Sequence, residues 1–79
     1  MSDTPKLSLD FTGLLCPMPI VKISQAIKQV QVGEIVEAIG TDPGIMADIP
    51  AWTRTTGHEL IALEKQDNKT IRFVVKRAK

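Results

Sequence analysis

The sequence predicts a two-layer α/β sandwich, ordered β-α-β-α-β-β, with a mixed four-stranded sheet and both helices on one face. Three observations carry this expectation. Apolar spacing switches from alternation over residues 6–10 to helical spacing from residue 17 onward. Two proline-marked helix starts, at Pro17 and Pro43, each follow a strand-like run. Residues 60–76 hold two further strand-like runs around a polar turn. A chain of 79 residues can fill one core but not two. It therefore reads as a single domain, residues 1–79, with residues 1–5 as a flexible polar lead.

Each element has a local cause. In "KLSLD", Leu7 and Leu9 share one face of a short strand, and "FTGLLC" follows as a loop in which Gly13 permits unusual backbone angles. From Pro17, the residues Ile20, Ile23, Ile27 and Val30 recur at helical spacing, with Val21 and Ala26 widening the stripe. The pattern predicts a helix over residues 17–31, closed by Gly33. "EIVEAIG" reads as a second strand with one mostly buried face. In "TDPGIMADIPAWTRTTGHEL", Asp42 suits an N-cap, Pro43 the first helical position and Gly57 the C-terminal cap. Pro50 should kink this second helix or split it into two pieces. Strands at 60–64 and 70–76 flank "KQDNK", a hairpin turn. The opening βαβ unit should be parallel and the closing hairpin antiparallel.

Composition narrows the function classes. Apolar residues make up 43% and aromatics only 4%, so the core must come mainly from Ile, Val, Leu and Ala. A net charge of +1 with interspersed signs speaks against a nucleic-acid reader. The basic end, Lys76, Arg77 and Lys79, reads as a solvated charged tail. One cysteine allows neither an internal disulfide nor a CxxC pair. Cys16 and His58 are too few soft ligands for structural zinc, so no metal is expected, and a carrier role would need no organic cofactor. No apolar run approaches the roughly 20 residues that span a bilayer. "MSDTPK" is no signal peptide, and a free thiol suits the reducing cytoplasm.

The single cysteine lies in "GLLCPMPIV", directly ahead of Pro17, Met18 and Pro19. Such a residue can be an inert packing group, half of a redox pair, a metal ligand or a nucleophile. With Pro17 at the first helical position, Cys16 falls at or near the N-cap. Among Pro17, Met18, Pro19 and Ile20 only Met18 and Ile20 carry N–H groups. These donors and the helix dipole should face the sulfur and favour thiolate, the reactive form. Packing as a small hydrophobe remains the competing reading. A junction between loop and helix brings the two readings level, because a residue there is often reachable by a partner. A lone cysteine without a base makes a poor hydrolytic nucleophile but a good carrier of a group passed between proteins.

The run "LDFTGLLCPMPIVK" resembles the TusA-like (SirA-like) sulfur-carrier family, marked by a Cys-Pro-x-Pro motif behind a Gly-Leu loop. "DPGIMADIPAWTRTTGHEL" is similar to that family's second helix, with its Ile-Pro and Gly-His-Glu-Leu landmarks. The resemblance implies the same β-α-β-α-β-β sandwich and a cysteine that holds a persulfide. By position, Cys16 would bear the sulfur, Pro17 and Pro19 would shape its helix start, and Gly13 the loop. Donors of the cysteine desulfurase or rhodanese type and a separate acceptor protein are implied. The family serves tRNA wobble-uridine thiolation, molybdenum-cofactor enzymes, sulfur oxidation and thiosulfate import, and the label selects none of these. No direct nucleic-acid binding or membrane embedding is implied, and a monomer is the expected state. Some members carry a second cysteine after the aromatic residue of the second helix, where this chain has Thr53 behind Trp52. An internal disulfide is thus excluded, and sulfur must leave by attack of another acceptor on the outer atom.

Other residues receive plainer readings. Asp10 closes a turn, Trp52 packs between helix and sheet, and His58 serves as a helix-end cation. Met18, between the prolines, is expected on an apolar docking rim, with Lys22 adding positive potential to the same surface. Two alternatives from other classes stand beside the carrier: a regulatory or interaction module without sulfur chemistry, and a thiol redox sensor.

Overall fold

The computed structural model describes residues 5–15, 17–67 and 69–79. Cys16, Asn68 and residues 1–4, most of the expected polar lead, lie outside the described residues. The elements run β1 (Leu7–Phe11), α1 (Met18–Ile27), β2 (Ile35–Gly40), α2 (Ile45–Thr56), β3 (Glu59–Lys65) and β4 (Ile71–Lys76). The sheet order is β1-β2-β4-β3, with β1 parallel to β2 and the other pairs antiparallel. This is the predicted mixed four-stranded sandwich.

Alternation explains which face is covered. Phe11 of β1, Val36 and Ala38 of β2, and Ile71, Phe73 and Val75 of β4 all point into one core. Ile23, Ala26 and Ile27 of α1 and Ile45 and Ile49 of α2 join the same cluster, so both helices pack on that face. The Phe11 and Phe73 rings meet at a tilted 43° with centroids 6.2 Å apart. On the other face, Arg72 pairs with Glu37 and, at 2.9 Å, with Glu64, while Ser8 donates to Glu37 at 3.3 Å. Gly40 ends β2 beneath α2, where a Cβ would stand 2.4 Å from Ile45 Cδ1.

Several sequence expectations shift in the structure. The first helix starts at Met18, with Pro17 as its N-cap rather than its first residue. It ends at Ile27 and not at Gln31. Lys28 and Gln29 donate to Gln25 and Ala26, three residues back, a tighter 3₁₀-type ending beyond which Val30 joins the core. Gly33 is not its cap. It belongs to a separate turn in which Gln31 N–H donates to Glu34 Oε1 at 2.7 Å. Val21, expected on the buried stripe, is 40% exposed.

The second helix also begins later than expected, at Ile45, with Gly44 as N-cap. Asp42 acts one turn earlier: its carboxylate accepts Gly44 N–H at 3.1 Å and its carbonyl accepts Ile45 N–H at 3.0 Å. Pro43 is therefore the second residue of a β-turn and not the first of the helix. Pro50 neither splits nor ends α2, which runs unbroken to Thr56. Pro50 brings no N–H to the carbonyl four residues back, which belongs to Met46, an exposed residue. Gly57 closes α2 as expected, with φ of 84° and its N–H on Thr53 O at 2.9 Å.

Candidate functional site

The segment leading to position 16 is tied at several points. The Asp10 carboxylate accepts the Thr12 hydroxyl at 2.6 Å and the Thr12 N–H at 2.9 Å. Those two bonds hold the Asp10 carboxyl below the usual carboxylate range. This is the expected turn. Leu14 N–H donates to Phe11 O at 3.1 Å, and Leu14 packs against the core. Gly13 sits at φ of 83°, a backbone region hostile to side chains, and its N–H donates to Thr41 Oγ1 at 2.9 Å. That bond joins the loop after β1 to the loop after β2.

The helix start differs electrostatically from its sequence forecast. Met18 N–H donates to Leu15 O at 2.8 Å, so this donor is committed to the chain and does not stand open. Pro17 and Pro19 contribute none. Val21 N–H then closes the first turn on Pro17 O at 3.1 Å. Pro19 is buried and anchors the turn, whereas Pro17 is exposed. The prolines thus fix the backbone while thinning the donors that could reach an anion.

Around this start the surface is apolar. Leu15 is 72% exposed, Met18 39% and Val21 40%. Met18, Val21 and Lys22 share the outward face of α1, three and four residues apart, and Lys22 is exposed. Because β1 and β2 are parallel, the loops at 12–17 and 41–44 emerge at the same end of the sheet. Met46, exposed in the first turn of α2, belongs to that end too. A groove of about 400 Å³ lies there as well, lined by Thr41, Pro43 and Ile71 and flanked by Lys65 and Lys69. Sequence reasoning placed Met18 and Lys22 on this surface but missed Leu15, Val21, Met46 and the two lysines. Leu15 carried one usable signal, a large apolar residue stranded between a glycine turn and a proline.

His58 belongs to the opposite end. It precedes β3, whose first residue pairs with Lys76, which in turn pairs with Ile35 at the start of β2. The length of β2, roughly 17 Å, separates that end from the Gly13 loop. Nor is His58 a helix-end cation. Its Nδ1 accepts Ala78 N–H at 3.1 Å, and burial, with Arg77 and Lys79 nearby, holds its pKa below the ordinary 6.5. Folding therefore binds fewer protons at His58 than the unfolded chain does. Stability from this group is complete above 6.5 and is lost as pH falls through the lowered folded value. The melting temperature should fall between about pH 7 and pH 5, and His58→Gln should flatten that slope. An unchanged slope in the variant would remove His58 from the account. Trp52 is half-buried, packs on the core as expected and also meets His58, with ring centroids 5.5 Å apart.

Arg77 departs from the solvated-tail reading: Nη1 donates to Val30 O at 2.5 Å and Nε to Lys79 O at 2.8 Å. Among the described residues, no group of three His, Cys, Asp or Glu side chains could hold a metal ion, and no helix is long and apolar enough to cross a membrane.

Comparison with known proteins agrees with this layout. The family described as Sulfurtransferase TusA matches the chain over residues 7–77. Similar relatives bear the name "Putative sulfur carrier protein". One from Aquifex aeolicus is 39% identical over 69 residues, covering 87% of this chain and 35% of the relative. One from Bacillus subtilis, YrkF, is 47% identical over 58 residues, covering 73% of this chain and 31% of the relative. One from Archaeoglobus fulgidus is 39% identical over 71 residues, covering 90% of this chain and 96% of the relative. The chain thus spans about a third of the first two relatives and nearly all of the third.

Proposed function

Because the chain belongs to the TusA sulfurtransferase family, we propose that it is a sulfur carrier whose Cys16 holds a persulfide between a donor and an acceptor protein. The observation that supports this most directly is the setting of position 16. Its chain neighbours Leu15 and Pro17 are exposed, and a tied Gly13 loop precedes them. That arrangement suits a thiol presented to partners on a rigid support.

The transfer is a pair of thiolate exchanges. Cys16 thiolate attacks the outer sulfur of a donor persulfide, its S–S bond breaks, and the donor cysteine leaves as thiolate. The new bond holds the outer sulfur on Cys16. An acceptor thiolate then attacks that same outer sulfur and releases Cys16 as thiolate. Electrons balance at each step without a separate oxidant. A cysteine desulfurase or a rhodanese-type protein fits the donor role. The acceptor would lie in tRNA 2-thiouridine synthesis or a related sulfur route, in a reducing compartment such as the cytoplasm.

The test is to incubate the purified protein with a desulfurase and cysteine. Intact-mass measurement should show an added sulfur atom that reductant removes, and absence of the adduct with an active desulfurase would refute the reading. Docking should use the apolar rim of Leu15, Met18 and Val21, with Lys22 beside it. Met18→Asp places a charge in that rim and is expected to weaken donor binding about tenfold or more while the fold persists. Unchanged affinity by calorimetry would remove Met18 from the docking surface.

A further inference from the structure

At the end of the molecule remote from the Gly13 loop, a cavity of about 350 Å³ opens between the C-terminal halves of α1 and α2 and the last residues of the chain. Its apolar side is formed by Ile27, which is buried, and by the Trp52 ring. The His58 ring stands tilted at 43° against Trp52 and extends that side into an aromatic wall.

Basic side chains dominate this cavity. Lys28, Arg77 and Lys79 line it, and no Asp or Glu side chain does, although the whole chain carries 10 basic and 9 acidic residues. Arg77 is already occupied by the carbonyls of Val30 and Lys79 and acts as a brace. Lys28 and Lys79 form no ion pair among the described residues, and both are exposed. His58 accepts the Ala78 N–H at Nδ1, so the neutral ring carries its proton on Nε2 and keeps a donor there. Ser24 and Thr56 add hydroxyls to the lining, although that of Thr56 is given to Trp52 O at 2.8 Å.

The helix ends set the orientation of any guest. α1 and α2 both terminate here, and their last carbonyls repel negative charge from the depth of the cavity. An anionic group is therefore stable only at the rim, between Lys28 and Lys79. The part that reaches inward must be apolar and flat enough to lie on Trp52. A volume near 350 Å³ is at the small end of ligand cavities and admits one or two rings.

We propose that this cavity binds a small aromatic anion, its ring on Trp52 and its carboxylate, sulfonate or phosphate held by Lys28 and Lys79. The site lies apart from position 16 and does not depend on the sulfur-carrier reading.

Trp52 is the sole tryptophan, so the cavity contains its own reporter. The probe is 5-(dimethylamino)naphthalene-1-sulfonate, a two-ring anion, followed by energy transfer from Trp52 and by calorimetry with the folded protein. Saturable one-to-one binding is expected, weakened about fivefold by Lys28→Gln and again by Lys79→Gln. Ser24→Phe, which fills the cavity, should abolish it. A bound anion beside His58 should also raise the pKa of that imidazole, read by NMR titration with and without probe. Displacement by indole-3-acetate alone assigns a carboxylate ligand, and displacement by AMP alone assigns a phosphate one. Displacement by neither, equal affinity in the double lysine variant, or an unmoved His58 titration overturns the proposal. The lysine positions are on the surface, so the test stands even if Ser24→Phe does not fold. Sulfur loading at Cys16 should be unaffected in every variant that folds, which separates failure here from failure of the carrier reading.

Discussion

With serine at position 16 the protein should take up no sulfur from a persulfidated donor, and transfer to an acceptor should stop entirely. Cys16 is the only cysteine, so no second thiol can take over. Serine is close to cysteine in size, yet its hydroxyl stays protonated near neutral pH and does not attack a sulfane sulfur. The change should leave the melting temperature within a few degrees, since no described core residue is altered. Intact-mass measurement and a coupled transfer assay read the outcome. A Cys16→Ser protein that still supported transfer would exclude the carrier role and favour an interaction module. Peroxide-driven sulfenic acid on the wild type, without persulfide uptake, would favour a redox sensor.

The second large effect concerns the core. Phe73→Ala is expected to cost about 3–5 kcal/mol, against a total stability of roughly 4–12 kcal/mol for a chain of this length. Phe73 is fully buried on β4, which lies inside the sheet between β2 and β3. Its register partners are Ala38 and Leu63, and its ring meets Phe11. Alanine leaves most of the ring's volume empty beside Phe11, and partial relaxation of that neighbour does not refill it. Each kcal/mol corresponds to about 4–8 °C in a domain this small, so the midpoint should drop by more than about 12 °C. Urea or thermal unfolding measures it. A loss under about 1 kcal/mol would mean that the core around Phe73 collapses freely. Phe73→Leu, which keeps most of the volume, should recover most of the stability.

How far the chain could be read in advance differs by level. Ile23 and Ile27 lie on the inward side, as their spacing predicts, because buried apolar groups repeat with the period of their element, whereas Val30 reaches the core from beyond the helix end. The ends of α1 were misplaced because residues 28–34 keep apolar spacing while forming turns. The bonds of Lys28 and Gln29 to carbonyls three residues back, the Glu34 side chain on Gln31 N–H and the Arg77 bond to Val30 O reveal that. Pro50 was overestimated as a breaker, since its cost depends on whether the carbonyl four residues back faces water. His58 was misassigned because its partner, Ala78, is distant in sequence and arrives only through the β3–β4 pairing.

Strand and helix order, the mixed sheet and the proline-framed cysteine follow from the linear chain alone, since each depends on residues a few positions apart. The tie between the loops after β1 and β2, the Ala78 bond to His58 and the basic cavity at Trp52 came from packing. Those features are contacts between segments separated by twenty residues or more, as with Gly13 and Thr41 at a separation of 28. Such contacts are set by strand register and layer geometry, and a local spacing pattern carries no record of them.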